Sequence, residues 1–216
     1  MIKRQWTWTA TNVLLTLQII VGIITLFPMG RLYVYALGLK DVAAIARAGQ
    51  YWRLVTPMFI HFGFEHLLFN SITLYFLGNQ VEMIIGAKRF LALYFLSGVM
   101  GNLFSYQFSM NYSAGASTAL FGLFAYFVAM DYLEPQNPYY QAMGQQYKLL
   151  LVFNIVANVF MSGIDMWGHI GGIVGGLLGT VIINAHYRRN NRQYFWLGIG
   201  AYVLVATIII LNHGIL

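Results

Sequence analysis

The sequence predicts an all-α integral membrane protein, and two features of its composition carry that prediction. Of its 216 residues, 59% are hydrophobic and 8% are charged, whereas about 25% of the residues of a soluble domain are charged. The apolar residues also form runs that approach the roughly 20 residues needed for a helix to cross a bilayer. So few charges cannot cover a water-soluble surface, so a soluble domain is excluded.

Seven apolar segments are candidate transmembrane helices, and the first of them is predicted to be a retained anchor. The segments are 12–27, 58–77, 90–108, 116–133, 147–161, 168–186 and 194–211. Lys3 and Arg4 precede the first segment, but no A-x-A-like cleavage site follows it, as one would after a signal peptide.

The basic residues predict the orientation of these spans. The cytoplasmic side of a membrane protein carries the excess of lysine and arginine. With a cytoplasmic N-terminus, the inner side holds Lys3, Arg4, Lys88, Arg89, Lys148, Arg188, Arg189 and Arg192, and the outer side holds Arg31, Lys40, Arg47 and Arg53. An odd number of spans then places the C-terminus outside.

The long connection 29–57 is predicted to be an outer loop. Its residues 41–47 could form a short helix at the outer interface. Trp52 and Arg53 suit the headgroup level, where aromatic rings and a snorkelling arginine are favoured.

Polar residues inside the second span are informative, because burying them in lipid without partners is costly. His66 and Asn70 are four residues apart and share a helical face. His61, placed on the same helix, would point about 140° away from His66. One interpretation is a polar stripe that bonds a neighbouring helix. A zinc site is disfavoured, because the spacing from His61 to Glu65 and His66 is one residue longer than in H-x-x-E-H.

The fourth span opens on a segment of small and polar residues that contains Ser117. Residues 113–118 are too polar and too small to continue a spanning helix, so the helix is predicted to begin near Ser117, with free N–H groups there. The alternative is a serine that bonds only its own helix backbone.

The sixth span carries His169 beside a stripe of glycines, and such stripes let helix backbones approach closely. The stripe is Gly168, Gly172, Gly175, Gly176 and Gly179, and the matching small face of the fourth span is Gly115, Ala119 and Gly122. Docking the two faces would bring His169 to Ser117 on the outer side. A satisfied interhelical hydrogen bond is the alternative role for His169.

This constellation predicts a serine hydrolase. His169 can act as general base and then general acid for Ser117. The Ser117 N–H, the Asn70 amide and the His66 imidazole are the available donors for an oxyanion. Asp165 is placed in the outer loop, which favours a Ser-His dyad over a triad. The chain has no cysteine, which excludes thiolate metal sites and disulfides.

In order and spacing, these pieces resemble the rhomboid family of intramembrane serine proteases. The matching pieces are Trp52-Arg53, His61-x4-His66-x3-Asn70, Gly78-x3-Glu82, Gly115-x-Ser117 and Gly168-His169-x-Gly171-Gly172. The resemblance implies a bundle of six transmembrane helices around an outer-facing, water-filled cavity, with a seventh, C-terminal helix added. It implies Ser117 and His169 as the dyad, with His66 and Asn70 in the oxyanion hole. Residues 1–188 would be the core with its anchor, and 189–216 a basic loop and the added helix.

Two residues depart from the family pattern. Thr118 stands where the family's G-x-S-G has its last glycine, and its branched side chain is expected to narrow the space beside the nucleophile. Phe121 stands where many members have a tyrosine that packs on the catalytic histidine, and it keeps the ring without the hydroxyl.

The expected substrates are transmembrane proteins cut in or near a helix-destabilising segment, within the lipid bilayer of a bacterial plasma membrane. No cofactor, metal or nucleic acid is expected, and the oligomeric state stays open. The fifth span is a candidate lateral gate, because Asn154, Asn158 and the 162–163 end loosen its packing. The alternatives are a non-catalytic rhomboid-like chaperone or scaffold, a small-solute transporter and a membrane metalloprotease. The polar residues of the spans cluster on one side of the membrane, which argues against a transport path through its full depth.

Overall fold

The computed structural model describes residues 8–161, 163–187 and 192–212 and is a bundle of helices. In chain order these are α1 (Ala10–Leu26), α2 (Pro28–Gly38), α3 (Val42–Ala48), α4 (Phe64–Thr73), α5 (Asn79–Ile85), α6 (Ala87–Phe108), α7 (Ser117–Leu133), α8 (Pro138–Phe160), α9 (Met166–Tyr187) and α10 (Arg192–Leu211). A π-helical turn, Leu74–Gly78, joins α4 to α5, and two 3₁₀ turns, Tyr51–Leu54 and Thr56–Phe59, precede α4. Lys3, Arg4, Arg188, Arg189 and the predicted boundary at 188 lie outside the described residues.

Five of the predicted segments coincide with α1, α6, α7, α9 and α10 to within a few residues. By length and composition, Met166–Asn184 of α9 and Arg192–Leu211 of α10 can cross a membrane, whereas the apolar α1 and α7 are shorter. The number of spanning helices therefore stays a prediction. The short helix expected within 41–47 is present as α3.

Two predicted segments differ from the structure. The fifth was predicted to begin at 147, but α8 begins at Pro138, where the Asn137 side chain accepts a hydrogen bond from the Tyr139 N–H. The second was predicted to begin at 58, but α4 begins at Phe64. Gly63, with φ of 87°, breaks the chain direction just before it. His61 therefore lies outside the helix that carries His66.

The bundle is organised around α9, which lies between α6 and α7 with a glycine face toward each. A methyl group on Gly172 would collide with the Thr118 carbonyl oxygen, and one on Gly176 would collide with the Gly122 backbone of α7. The predicted docking on α7 thus holds for these two glycines. It is wrong for Gly175 and Gly179, whose added Cβ atoms would meet Met100 at 2.7 Å and Leu93 at 3.0 Å on α6.

Polar groups fix the first connection against the rest of the chain. Arg53 is 4% exposed, and its guanidinium donates to the carbonyls of Leu39 (2.7 Å) and Ala36 (2.5 Å) at the end of α2. The prediction of a snorkelling arginine was wrong, because these carbonyls at the negative end of a helix satisfy the buried charge.

Lys40 joins this connection to the segment that leads into α7. Its buried Nζ donates to the carbonyls of Ser105 (3.2 Å), Ser109 (2.7 Å) and Asn111 (2.6 Å). Its backbone N–H donates to the Ser113 carbonyl at 3.0 Å. These hydrogen bonds from Lys40 therefore hold the segment that leads into the start of α7.

Replacing Gly172 by alanine should destabilise the bundle, because the α7 and α9 backbones must move apart to admit the methyl group. We expect a loss of about 1–3 kcal/mol, the usual cost of overpacking. Gly200→Ala is the matched control, since a Cβ on this α10 glycine meets nothing within 4 Å. Thermal unfolding in detergent checks the pair. Equal melting temperatures would contradict the contact.

Lys40 should give the protein a pH-dependent stability. Burial lowers the pKa of Lys40 to about 8, although the charges of Asp165 and Asp41 oppose this shift, whereas the pKa of an unfolded lysine is about 10.4. Between these values the unfolded chain binds more protons, so this residue's contribution to the free energy of unfolding rises with pH. We expect Lys40→Met to melt below wild type at pH 7 and the gap to widen toward pH 10. A gap that is constant across this range would contradict the assignment.

Candidate active site

Ser117 begins α7, as the sequence predicts. The preceding Gly115 has φ of 129°, a conformation that L side chains rarely adopt, and Ala116 is the N-cap residue. Because Ser117 is the first helical residue, its N–H has no carbonyl one turn earlier in the helix to bond. The hydroxyl and a free backbone donor are thus presented together.

His169 stands opposite Ser117 on the first turn of α9. Its Nε2 lies 2.9 Å from the Ser117 Oγ, and the residue is 7% exposed. The Phe121 ring stacks on the imidazole, with ring centroids 4.0 Å apart and planes inclined by 11°. A serine hydroxyl hydrogen-bonded to an imidazole nitrogen is the arrangement that activates a nucleophile.

Besides Ser117, two polar residues lie near His169, and only one of them contacts its ring. Asp165 does not hydrogen-bond the imidazole, because its Oδ1 accepts from the Gly168 N–H (3.0 Å) and caps α9, and its Oδ2 is buried without a partner. Instead the Asn158 Nδ2 of α8 lies 2.7 Å from the His169 Nδ1. Sequence reasoning had weighed Asn158 only as a cause of loose packing in the fifth span. The one signal in the sequence for a role in the site was that Asn158 is a polar residue in an apolar run.

His66 is held in one orientation beside Ser117. Its Nδ1 accepts a hydrogen bond from the Phe62 N–H at 3.3 Å, so in the neutral ring the proton is on Nε2. A Cβ added to Gly115 would lie 2.7 Å from that Nε2 and 3.4 Å from the Ser117 Oγ. The free imidazole donor and the hydroxyl therefore converge on the same side of Gly115.

His61 does not occupy the position predicted for it. Its ring packs edge-on against His66, with centroids 5.0 Å apart, and its Nε2 accepts from the Ala116 N–H at 3.4 Å. The expected angular separation on one helix was wrong, because the chain turns at Gly63. His61 instead supports the backbone just before Ser117.

Asn70 is buried one turn after His66, with its amide engaged by the backbone. Its Nδ2 donates to the His66 carbonyl oxygen at 2.8 Å, and its Oδ1 is buried without a partner. A second amide hydrogen remains available on Nδ2.

The branched side chain of Thr118, which was expected to narrow the space beside Ser117, packs toward α6 and α9. The residue is 5% exposed, and a Cβ on Gly101 of α6 would lie 2.7 Å from its Cβ. A Cβ on Gly168 would lie 3.2 Å from its Cγ2. Thr118 therefore fills the junction of α6, α7 and α9, and its effect on the space beside Ser117 stays a prediction.

The Gly78-x3-Glu82 pair has a structural position away from the serine. The Glu82 carboxylate accepts from the N–H groups of Ala10 and Thr11, both at 2.8 Å, and from the Thr11 hydroxyl at 2.7 Å. A carboxylate is stabilised at the positive end of a helix, so Glu82 anchors the start of α1. Across the described ranges, histidine and acidic side chains form no group of three that could hold a metal ion.

Together these features define a helical membrane protein in which a serine and a histidine from adjacent helices are paired by a hydrogen bond. The family model of the Rhomboid domain matches residues 48–186. The chain belongs to the rhomboid family.

Named relatives agree with this membership. The rhomboid protease GluP of Bacillus subtilis is 35% identical over 148 residues, which cover 68% of this chain and 29% of GluP. The putative rhomboid protease YdcA of the same organism is 36% identical over 136 residues, covering 60% of this chain and 66% of YdcA. Rhomboid-like protease 3 of Toxoplasma gondii is 30% identical over 171 residues, covering 77% and 65%. The chain spans less than two thirds of the length of each.

Replacing Gly115 by alanine should prevent Ser117 and His66 from converging. The new Cβ would crowd the His66 imidazole, and we expect at least a tenfold slower reaction of Ser117 with a fluorophosphonate probe. Gly86→Ala is the control, because Gly86 also has positive φ (80°) but open space around its Cβ. Gly86→Ala therefore introduces the backbone strain of an alanine at positive φ without a steric clash. Equal labelling rates per folded molecule in the two variants would contradict the steric argument.

Proposed function

We propose that the protein is an intramembrane serine endopeptidase that hydrolyses peptide bonds in or near transmembrane segments of membrane proteins. The observation that carries the proposal is the 2.9 Å separation of the Ser117 Oγ and the His169 Nε2. Membership of a family whose named relatives are proteases supports it.

The reaction follows from the roles that these two groups can take. His169 Nε2 accepts the Ser117 proton while Oγ attacks the scissile carbonyl carbon, which gives a tetrahedral oxyanion. The imidazolium then returns that proton to the departing amine nitrogen, and an acyl-enzyme remains on Ser117. Water, deprotonated by His169, attacks the ester, and collapse of the second oxyanion releases the acid and restores the hydroxyl.

Three donors are available for the oxyanion. They are the Ser117 N–H, the His66 Nε2–H and the second hydrogen of the Asn70 amide. Each preorganised donor of this kind contributes about 3 kcal/mol to transition-state stabilisation. The bond from the Phe62 N–H supports this role for His66, because it leaves Nε2 as the donor.

The substrate class follows from the chemistry of a membrane helix. Its carbonyls are engaged in i→i−4 hydrogen bonds, so the scissile region must unwind before attack. Segments with small or helix-destabilising residues at the outer end of a span meet this requirement. The orientation in a bacterial plasma membrane, with the N-terminus inside and the site opening outward, belongs to the same proposal. So does the division into a core of residues 1–188 and an added 189–216 segment.

Ser117→Ala and His169→Ala should both abolish covalent labelling by a fluorophosphonate, which requires an activated serine and no knowledge of the substrate. Ser71→Ala, which removes a buried hydroxyl without a hydrogen-bond partner on α4, should label as wild type. Cleavage of a reconstituted transmembrane substrate should follow the same order.

The opposite outcome identifies the alternative. A folded wild-type protein that neither labels nor cleaves would favour a non-catalytic membrane scaffold or chaperone. In that case Ser117→Ala would leave the binding of transmembrane helices unchanged.

A further inference from the structure

The imidazole of His169 has side-chain partners on both ring nitrogens. Nε2 faces the Ser117 hydroxyl, and Nδ1 lies 2.7 Å from the Asn158 Nδ2. Asn158 is half-buried and comes from α8, a helix that contributes nothing else to the pair. The place that an acidic residue has in a catalytic triad is thus taken by a neutral amide.

The orientation of this amide decides whether His169 can act as a base. Nδ2 faces Nδ1 in this structure. A 180° turn of the amide puts Oδ1 in the same place, and the hydrogen-bond network assigns which atom occupies it. If Nδ2 donates to Nδ1, the neutral ring carries its proton on Nε2 and cannot accept the Ser117 proton. If Oδ1 accepts from the Nδ1–H, the lone pair on Nε2 faces Ser117.

We propose that Asn158 is a positioning residue whose Oδ1 accepts a hydrogen bond from the His169 Nδ1–H and so selects the base-competent tautomer. This inference rests on the proposed function. During acylation the same bond stabilises the imidazolium, whose Nδ1–H keeps its acceptor while Nε2 carries the serine proton. Both protons are accounted for, and the amide itself gains and loses none.

The position of Asn158 also links the base to the packing of α8. The first part of α8 packs on α7, where the Tyr147 ring lies 4.8 Å from that of Phe127 and 5.4 Å from that of Phe124. Its last two turns present large exposed apolar side chains, namely Phe153, Val156, Val159 and Phe160. The bond from Asn158 to His169 joins this loosely packed end to α9, so any outward movement of the end withdraws the acceptor from Nδ1.

Two replacements at position 158 separate hydrogen bonding from packing. Asn158→Leu keeps a similar volume without an acceptor, and Asn158→Asp supplies an obligate acceptor of the same shape. Asn154→Leu is the matched control, because Asn154 lies one turn earlier on α8 and bonds only its own helix, at the Leu150 carbonyl. Each variant is compared for fluorophosphonate labelling rate, for kcat and KM on a reconstituted transmembrane substrate, and for thermal stability in detergent.

We expect Asn158→Leu to lower the labelling rate and kcat by about 10- to 100-fold, part of the 10²–10⁴ that general acid–base catalysis supplies. KM should change little, because the bond acts on the base and not on the substrate. Asn158→Asp should restore the rate at neutral pH and shift the acidic limb of the kcat profile to higher pH, since a carboxylate stabilises the imidazolium. Asp165 and His66, the other titratable groups near His169, are the same in every variant. Asn154→Leu should resemble wild type.

The tautomer is also measurable in the unmutated protein. With ¹⁵N-labelled histidine, the ring signals that disappear in His169→Ala should report a proton on Nδ1. A proton on Nε2 in the resting enzyme would overturn the inference, whatever the variants do.

The remaining outcomes are equally decisive. Labelling by Asn158→Leu at the wild-type rate would overturn the inference, and so would an Asn158→Asp variant that folds and is as slow as Asn158→Leu. In both cases a wild type that labels at Ser117 leaves the proposed function intact. A wild type that does not label removes the function and this inference together.

Discussion

The site depends on the close approach of the α7 and α9 backbones. Gly172 lies directly against the Thr118 carbonyl, and Gly176 lies against Gly122. In lipid, helices associate through packing and hydrogen bonds, without the hydrophobic driving force that water supplies, so small residues decide which faces meet. Ser117 and His169 stand at the starts of these two helices. Their separation of 2.9 Å is therefore set by glycine contacts one or two turns away.

The non-helical backbone around the pair is fixed by polar groups from other parts of the chain. Backbone that leaves a helix within a membrane protein must find hydrogen bonds inside the protein. Lys40 supplies three to carbonyls in the last turn of α6 and just after it, and the His61 ring accepts one from the Ala116 N–H. These bonds allow Gly115 to hold a positive φ next to Ser117. Lys40 and His61 thus act as supports for the backbone that carries the nucleophile.

The sequence predictions succeeded where the pattern lies within one helix, and they failed where the structure depends on contacts between different elements. The start of α7 and the facing of Gly172 toward it were predictable, because both follow from periodicity within one helix. The position of His61 was not, because Gly63 turns the chain before the periodic pattern applies. Arg53 was interpreted as an interfacial residue, because the sequence does not show that the end of α2 lies beside it. Asn158 was noticed as a polar residue, but residue spacing relates positions within an element and does not reveal a partner on another helix.

An amide at position 158 suits the site better than a carboxylate in one physical respect. The last two turns of α8 carry exposed apolar side chains. An ionised carboxylate that lost its partner in these surroundings would be strongly destabilised. A neutral amide that separates from His169 leaves only an unpaired dipole, which costs far less than an unpaired charge. If this helix end moves, a neutral amide lets the histidine lose and regain its acceptor without leaving a charge unpaired. A dyad assisted by a neutral third residue gives up some stabilisation of the imidazolium and avoids the cost of an unpaired charge.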